Sequence, residues 1–109
     1  MNLHYGVKLT VPSTDYATPV DAKVFNSRIA EACYEFCKLY GGAKATRGET
    51  GYYIAQDGTL IVEETASVLA LCDDWKLAEL QPLLDNWKQA WKQETLLIEY
   101  LDGQNAVIA

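Results

Sequence analysis

One histidine, three cysteines, three prolines and nine basic side chains are all that 109 residues supply of those types. Each shortage closes off a class of function. Nucleophilic hydrolysis needs a Ser or Cys beside a base, usually histidine, and His4 stands alone with no Gly-x-Ser-x-Gly elbow in the chain. Cys33, Cys37 and Cys72 leave an odd thiol, so a disulfide framework is not expected. With His4 they contain the residue types of a zinc site, but Cys33 lies on an apolar helical stripe and reads as core, so no metal is expected. Fifteen acidic against nine basic residues give a charge of −6, which repels phosphate backbones and anionic lipid. Direct nucleic-acid or membrane binding is therefore not expected. The opening residues carry no basic stretch followed by an apolar run, and no run of 18 apolar residues occurs, so the expected location is cytoplasmic.

What is present suits a folded domain. Half of the residues are hydrophobic, and three Trp, seven Tyr and two Phe supply bulky packing groups. Leu3 to Val11 alternates as a half-buried strand, and Pro12 begins a loop. Asp21 caps a helix whose stripe runs through Phe25, Ile29, Ala32, Cys33, Phe36 and Tyr40, and Gly41-Gly42 ends it. "AKAT" and "GYYIA" around "RGE" lead into a hairpin at Asp57-Gly58, read as a type I′ turn, and then into "TLIVEETASVLALC". Asp73-Asp74 offers caps for a second helix through Leu77, Leu80, Leu84, Trp87 and Trp91. Pro82 splits that pattern into a short turn over 75–80 and a main helix from Gln81. "TLLIEYL" and "AVIA" around "DGQN" read as a strand, a turn and a short last strand.

The order is β-α-β-β-α-β. It predicts one domain over 1–109, α+β in class, a ferredoxin-like plait with an antiparallel sheet, two helices on one face and a short extra C-terminal strand.

The stretch "GGAKATRGETGYYIAQDG" crowds five glycines around Lys44 and Arg47, as phosphate-binding loops do. A phosphate loop runs from strand to helix, however, so that helix N-terminal amides face the anion. Here the glycines follow a helix and precede a strand, which makes them punctuation. Adjacent carboxylates at Glu63-Glu64 point to opposite faces of a strand, and those at Asp73-Asp74 have a capping role, so paired acid–base catalysis is not supported. Five residues of the hairpin remain as a partner surface: Tyr52, Tyr53, Asp57, Glu63 and Glu64 join aromatic anchors to carboxylates that suit a basic groove.

"YGVKLTVPST", "LYGGAKATRGETGYY", "DGTLIVEETASVLAL" and "WKQETLLIEYLDG" together resemble a family of small uncharacterised proteins from phages, plasmids and integrated bacterial elements. That resemblance implies a setting in a bacterial host and carries no functional residue. Small acidic proteins in that setting are often inhibitors of defence nucleases. The expectation is thus a non-enzymatic anti-CRISPR-type inhibitor that binds a host nucleic-acid-guided nuclease, with no cofactor. The alternative is a small-molecule or metal-binding module, dimeric through an open sheet face.

Overall fold

A computed structural model describes residues 2–107. Eight elements follow one another: β1 (Asn2–Pro12), β2 (Thr14–Asp15), β3 (Thr18–Pro19), α1 (Ala22–Tyr40), β4 (Lys44–Ile54), β5 (Leu60–Cys72), α2 (Leu77–Ala90) and β6 (Ile98–Val107). The main sheet has the order β4-β5-β1-β6 with every neighbouring pair antiparallel. The chain is therefore α+β. β2 and β3 form a separate two-stranded ribbon inside the loop after β1.

Both helices cover the same face of the sheet. Val7, Leu9 and Val11 of β1 and Ala66, Val68, Ala70 and Cys72 of β5 point one way by strand alternation. They meet Phe25, Ile29, Ala32 and Phe36 from α1 and Leu80, Leu84, Trp87 and Trp91 from α2 in one buried cluster. Trp87 and Trp91, four residues apart, stack with centroids 5.2 Å apart and planes within 7°. At about 25 cal/mol per Å² of apolar surface, burial of this cluster is the main force holding the helices to the sheet.

The caps of α1 follow the sequence. Asp21 accepts from the Lys23 amide at 2.7 Å, and Gly41, left-handed at φ 88°, donates its amide to the Cys37 carbonyl at 2.9 Å. α2 departs from expectation: it is one helix from Leu77, capped by Lys76 in a left-handed conformation, with Pro82 inside it. Asp74 does not cap the helix; it accepts from the Lys76 amide at 2.9 Å and holds the turn before it. Pro82 is tolerated because it and Ala78, whose carbonyl loses the i→i−4 bond, both lie on the exposed side. Leu80, Leu84 and Trp87 meanwhile anchor the opposite side.

Three further corrections concern strands. "AKAT" and "GYYIA" are one strand, β4, bent by a register shift between Thr46 and Glu49 where Gly48 has φ 79°. The hairpin turn is not type I′: Gly58 is left-handed while Asp57 is not, and the Gly58 amide donates to the Ala55 carbonyl at 2.9 Å. A type I turn closed by a glycine bulge results, and Asp57 supports it by accepting from the Thr59 amide at 2.9 Å. "TLLIEYLDGQNAV" contains one strand, β6, rather than a strand, a turn and an extra strand. It passes through Gly103 at φ 79°, and its pairing with β1 shifts between Leu3 and Tyr5. The expected last strand extends to residues 108–109, which lie outside the described residues. Among the described residues no helix is long and apolar enough to cross a membrane.

Candidate functional site

The register of β4 creates a notch in the sheet. β4 begins pairing at Lys44 opposite Leu69, so the last residues of β5 have β1 on one side and no strand partner on the other. The chain linking α1 to β4, Gly41 to Ala43, borders that notch. A groove of about 660 Å³ opens there.

Its walls are mainly apolar: Leu3, Leu39, Leu69 and Leu71, with the Tyr40 ring and Cys72. Its polar groups are few, namely Asp73, Lys44 and Lys76. A groove of this size with a handful of convergent polar groups has the form of a small-molecule site.

The rim is held by bonds between segments distant in sequence. Tyr40 donates its hydroxyl to the Trp75 carbonyl at 2.5 Å, Trp75 donates its indole N–H to the Leu101 carbonyl at 3.2 Å, and Trp75 packs between Tyr5 and Tyr100. Lys76 donates its ammonium to the Leu39 carbonyl at 2.7 Å, at the negative end of the α1 dipole. Burial pushes the Tyr40 phenol well above its ordinary range, with Cys72, Tyr100, Asp74 and Glu79 adding to it, so Tyr40 remains a neutral donor. Burial also raises the Cys72 thiol, which Asp73 and Asp74 reinforce against a backbone bond from Asp74 and the Lys76 charge. Cys72 is thus a poor nucleophile and a packing wall.

The five hairpin residues singled out from sequence lie elsewhere, beyond the β4 bulge. Tyr52 is 69 % exposed and joins Ile54, Leu60 and Val62 in an exposed apolar strip, with Tyr52 opposite Val62 and Ile54 opposite Leu60. Asp57 sits in the turn and Glu64 is exposed. Glu63, by contrast, is buried: its carboxylate accepts from the Thr14 hydroxyl at 2.8 Å and the Ser13 amide at 3.2 Å. Tyr53 is half-buried and donates its hydroxyl to the Tyr16 carbonyl at 3.2 Å. Burial raises the Tyr53 phenol, and the Glu63 charge adds to that.

The groove itself was missed by sequence reasoning. Gly41, Gly42 and Lys44 were noticed and dismissed because they do not precede a helix. What brings them to a site is a long-range juxtaposition with β5 and Lys76. The one local trace was a glycine pair followed by a lysine immediately after a long amphipathic helix.

No family model matches the chain, and no curated protein matches it in sequence. Among solved structures it is similar to a phage SAM lyase in complex with S-methyl-5'-thioadenosine, at TM-score 0.71 and 16 % identity over 95 % of this chain and 85 % of that one. A phage protein with this fold agrees with the phage setting implied by the resemblance. The match also corrects two expectations. A non-enzymatic anti-CRISPR-type inhibitor was inferred from setting alone, whereas nearly the whole fold is shared with an enzyme.

Proposed function

We propose that the chain is a carbon–sulfur lyase acting on S-adenosylmethionine, with the nucleoside bound in the groove between α1, β5 and the start of α2. We further read its strand order as the ferredoxin-like plait. The observation that carries the proposal is the fold shared along nearly the full length of both chains with a phage SAM lyase. The groove supports it in kind, because a thioadenosine presents a flat purine face and an apolar methylthio group beside a few hydrogen-bonding edges. Beyond Leu69, the uncovered edge of β5 offers backbone donors and acceptors to such an edge, and Leu69, Leu71 and Tyr40 offer contact area.

The chemistry suits an apolar wall. In S-adenosylmethionine a carboxylate faces a sulfonium within one molecule. When the carboxylate oxygen attacks the γ-carbon, the carbon–sulfur electron pair returns to sulfur. The products are S-methyl-5'-thioadenosine and a five-membered lactone, with every atom accounted for and no water consumed. Negative and positive charge cancel as the transition state forms, so apolar walls beside the reacting carbon and sulfur favour the transition state over the reactant, while the few charged groups of the groove position the ends of the arm. Holding the flexible four-carbon arm in a folded conformer supplies a further part of the acceleration.

The test is direct. Purified protein incubated with S-adenosylmethionine is expected to release S-methyl-5'-thioadenosine in equal amount to substrate lost, as read by liquid chromatography and mass spectrometry. Substrate that stays intact at a high protein-to-substrate ratio refutes the assignment. Gly42 borders the groove, and a Cβ built there meets no heavy atom within 4 Å, so the fold should accept Gly42→Trp. That variant is expected to keep its melting temperature and lose most turnover. Unchanged turnover would move the site away from the groove.

A further inference from the structure

We infer that Lys76 holds the carboxylate of the substrate's amino-acid arm and so selects an intact sulfonium amino acid over the bare thioadenosine; this rests on the lyase reading above. Three observations meet at this residue. Lys76 borders the groove and is half-buried, whereas Lys44, the other cation there, is exposed. Its backbone is left-handed, at φ 51° and ψ 51°, a conformation that non-glycine residues adopt at a cost and that recurs where side-chain placement matters. Among the described residues its ammonium donates to the Leu39 carbonyl alone, at 2.7 Å, which leaves N–H donors for the carboxylate oxygen that does not attack.

The surrounding charges suit the rest of the arm. Asp73 and the last carbonyls of α1 border the same groove and carry the negative potential that an α-ammonium or a sulfonium needs. A zwitterion with an adjacent sulfonium thus finds one cationic and two electronegative contacts. S-methyl-5'-thioadenosine, which lacks the arm, would use only the apolar part of the groove. The thioadenosine product therefore has no contact with Lys76 to break, and lactone formation removes the carboxylate charge that held the other product.

A purely structural lysine would merely cap the end of α1, and the experiment must separate the two roles. Lys76→Asn removes the ammonium and keeps a residue that accepts the left-handed backbone, so loss of fold is not expected. Two probes are titrated against wild type and variant: S-adenosylhomocysteine, which has the arm but no sulfonium to cleave, and S-methyl-5'-thioadenosine. A charge-assisted hydrogen bond predicts weakening on the order of tenfold to a hundredfold for the first and less than twofold for the second. KM for S-adenosylmethionine should rise in parallel, and Lys76→Arg should restore part of the loss. Equal effects on both probes, or none on either, overturn the assignment of Lys76 while leaving the lyase reading standing. If wild type binds neither probe and cleaves no S-adenosylmethionine, both fall together.

Discussion

Arg28→Met tests how the end of α2 and the loop after β1 are tied to α1. The Arg28 side chain is 4 % exposed and donates to the carbonyls of Pro12 at 3.0 Å, Thr14 at 2.8 Å and Trp91 at 3.3 Å. It also pairs with Asp15 at 2.5 Å and lies 5.8 Å from the centroid of the Trp91 ring. Methionine keeps most of the aliphatic volume and removes every donor. Gln93 donates to the Thr14 and Trp91 carbonyls at 2.6 and 2.7 Å, so only the Pro12 carbonyl and the half-buried Asp15 carboxylate lose their partner outright. One orphaned carbonyl and one lost charged bond, less the relief of a buried guanidinium whose Nε has no partner among the described residues, come to about 3 kcal/mol.

For a domain of this length each kcal/mol moves the melting temperature by about 4–8 °C, so a fall of roughly 12–24 °C is expected by circular dichroism. The shared carbonyls make a sharper test. Once Gln93→Ala is added, the Thr14 and Trp91 carbonyls lose both donors, and the double variant should lose about 1–2 kcal/mol more than the sum of the singles in urea denaturation. A loss below about 1 kcal/mol for Arg28→Met, or additivity within about 0.5 kcal/mol, would refute this account of the cluster.

Three other outcomes follow from the same structure. Cys37 is exposed, Cys33 is half-buried and raised by burial and by Cys37, and Cys72 is buried at the groove. Iodoacetamide should therefore label them in that order by peptide mass mapping, and on the lyase reading S-methyl-5'-thioadenosine should slow only Cys72. Tyr40 ionises at higher pH in the folded chain than in the unfolded one, where a phenol titrates near pH ~10, so its contribution is complete below that pH and fades as pH climbs toward the folded value. Tyr40→Phe should cost about 1 kcal/mol at neutral pH, and the gap from wild type should narrow above pH ~10 in a series of urea melts. Pro82→Ala restores a donor to the Ala78 carbonyl and should raise stability by about 1–3 kcal/mol. A neutral or negative change would mean that Pro82 is already compensated.

Legibility varied with the range of the interaction that decides each feature. Asp21, Gly41 and the Phe25-to-Phe36 stripe act within a turn or two of backbone, and they were readable. Pro82 was misread because local propensity weighs a lost hydrogen bond without knowing which side faces water. Asp73-Asp74 was misread as a cap because two carboxylates satisfy a local rule that Lys76, left-handed for tertiary reasons, overrides. The Glu63-Glu64 pair shows the limit most clearly: alternation gave their opposite faces, but only the fold brings Thr14 and Ser13 across 49 and 50 residues to bury Glu63. The groove depends on where β4 first pairs with β5, and register is a property of two strands together.

Net charge bears on the sign of a partner and is silent about its size. A charge of −6 repels nucleic acid, and matching the hairpin carboxylates to a basic groove assumed that the partner must be a protein. S-adenosylmethionine is itself a cation near neutral pH, while the nucleoside phosphates that share its adenosine are anions. On the lyase reading, an acidic surface favours the one over the others before any contact forms, and the α1 carbonyls and Asp73 continue that preference at the groove. The preference should shrink as salt rises, because the long-range part is screened within about 8 Å at physiological ionic strength. kcat/KM for S-adenosylmethionine should therefore fall between low and high salt with kcat unchanged. A salt-independent kcat/KM would confine recognition to the groove itself.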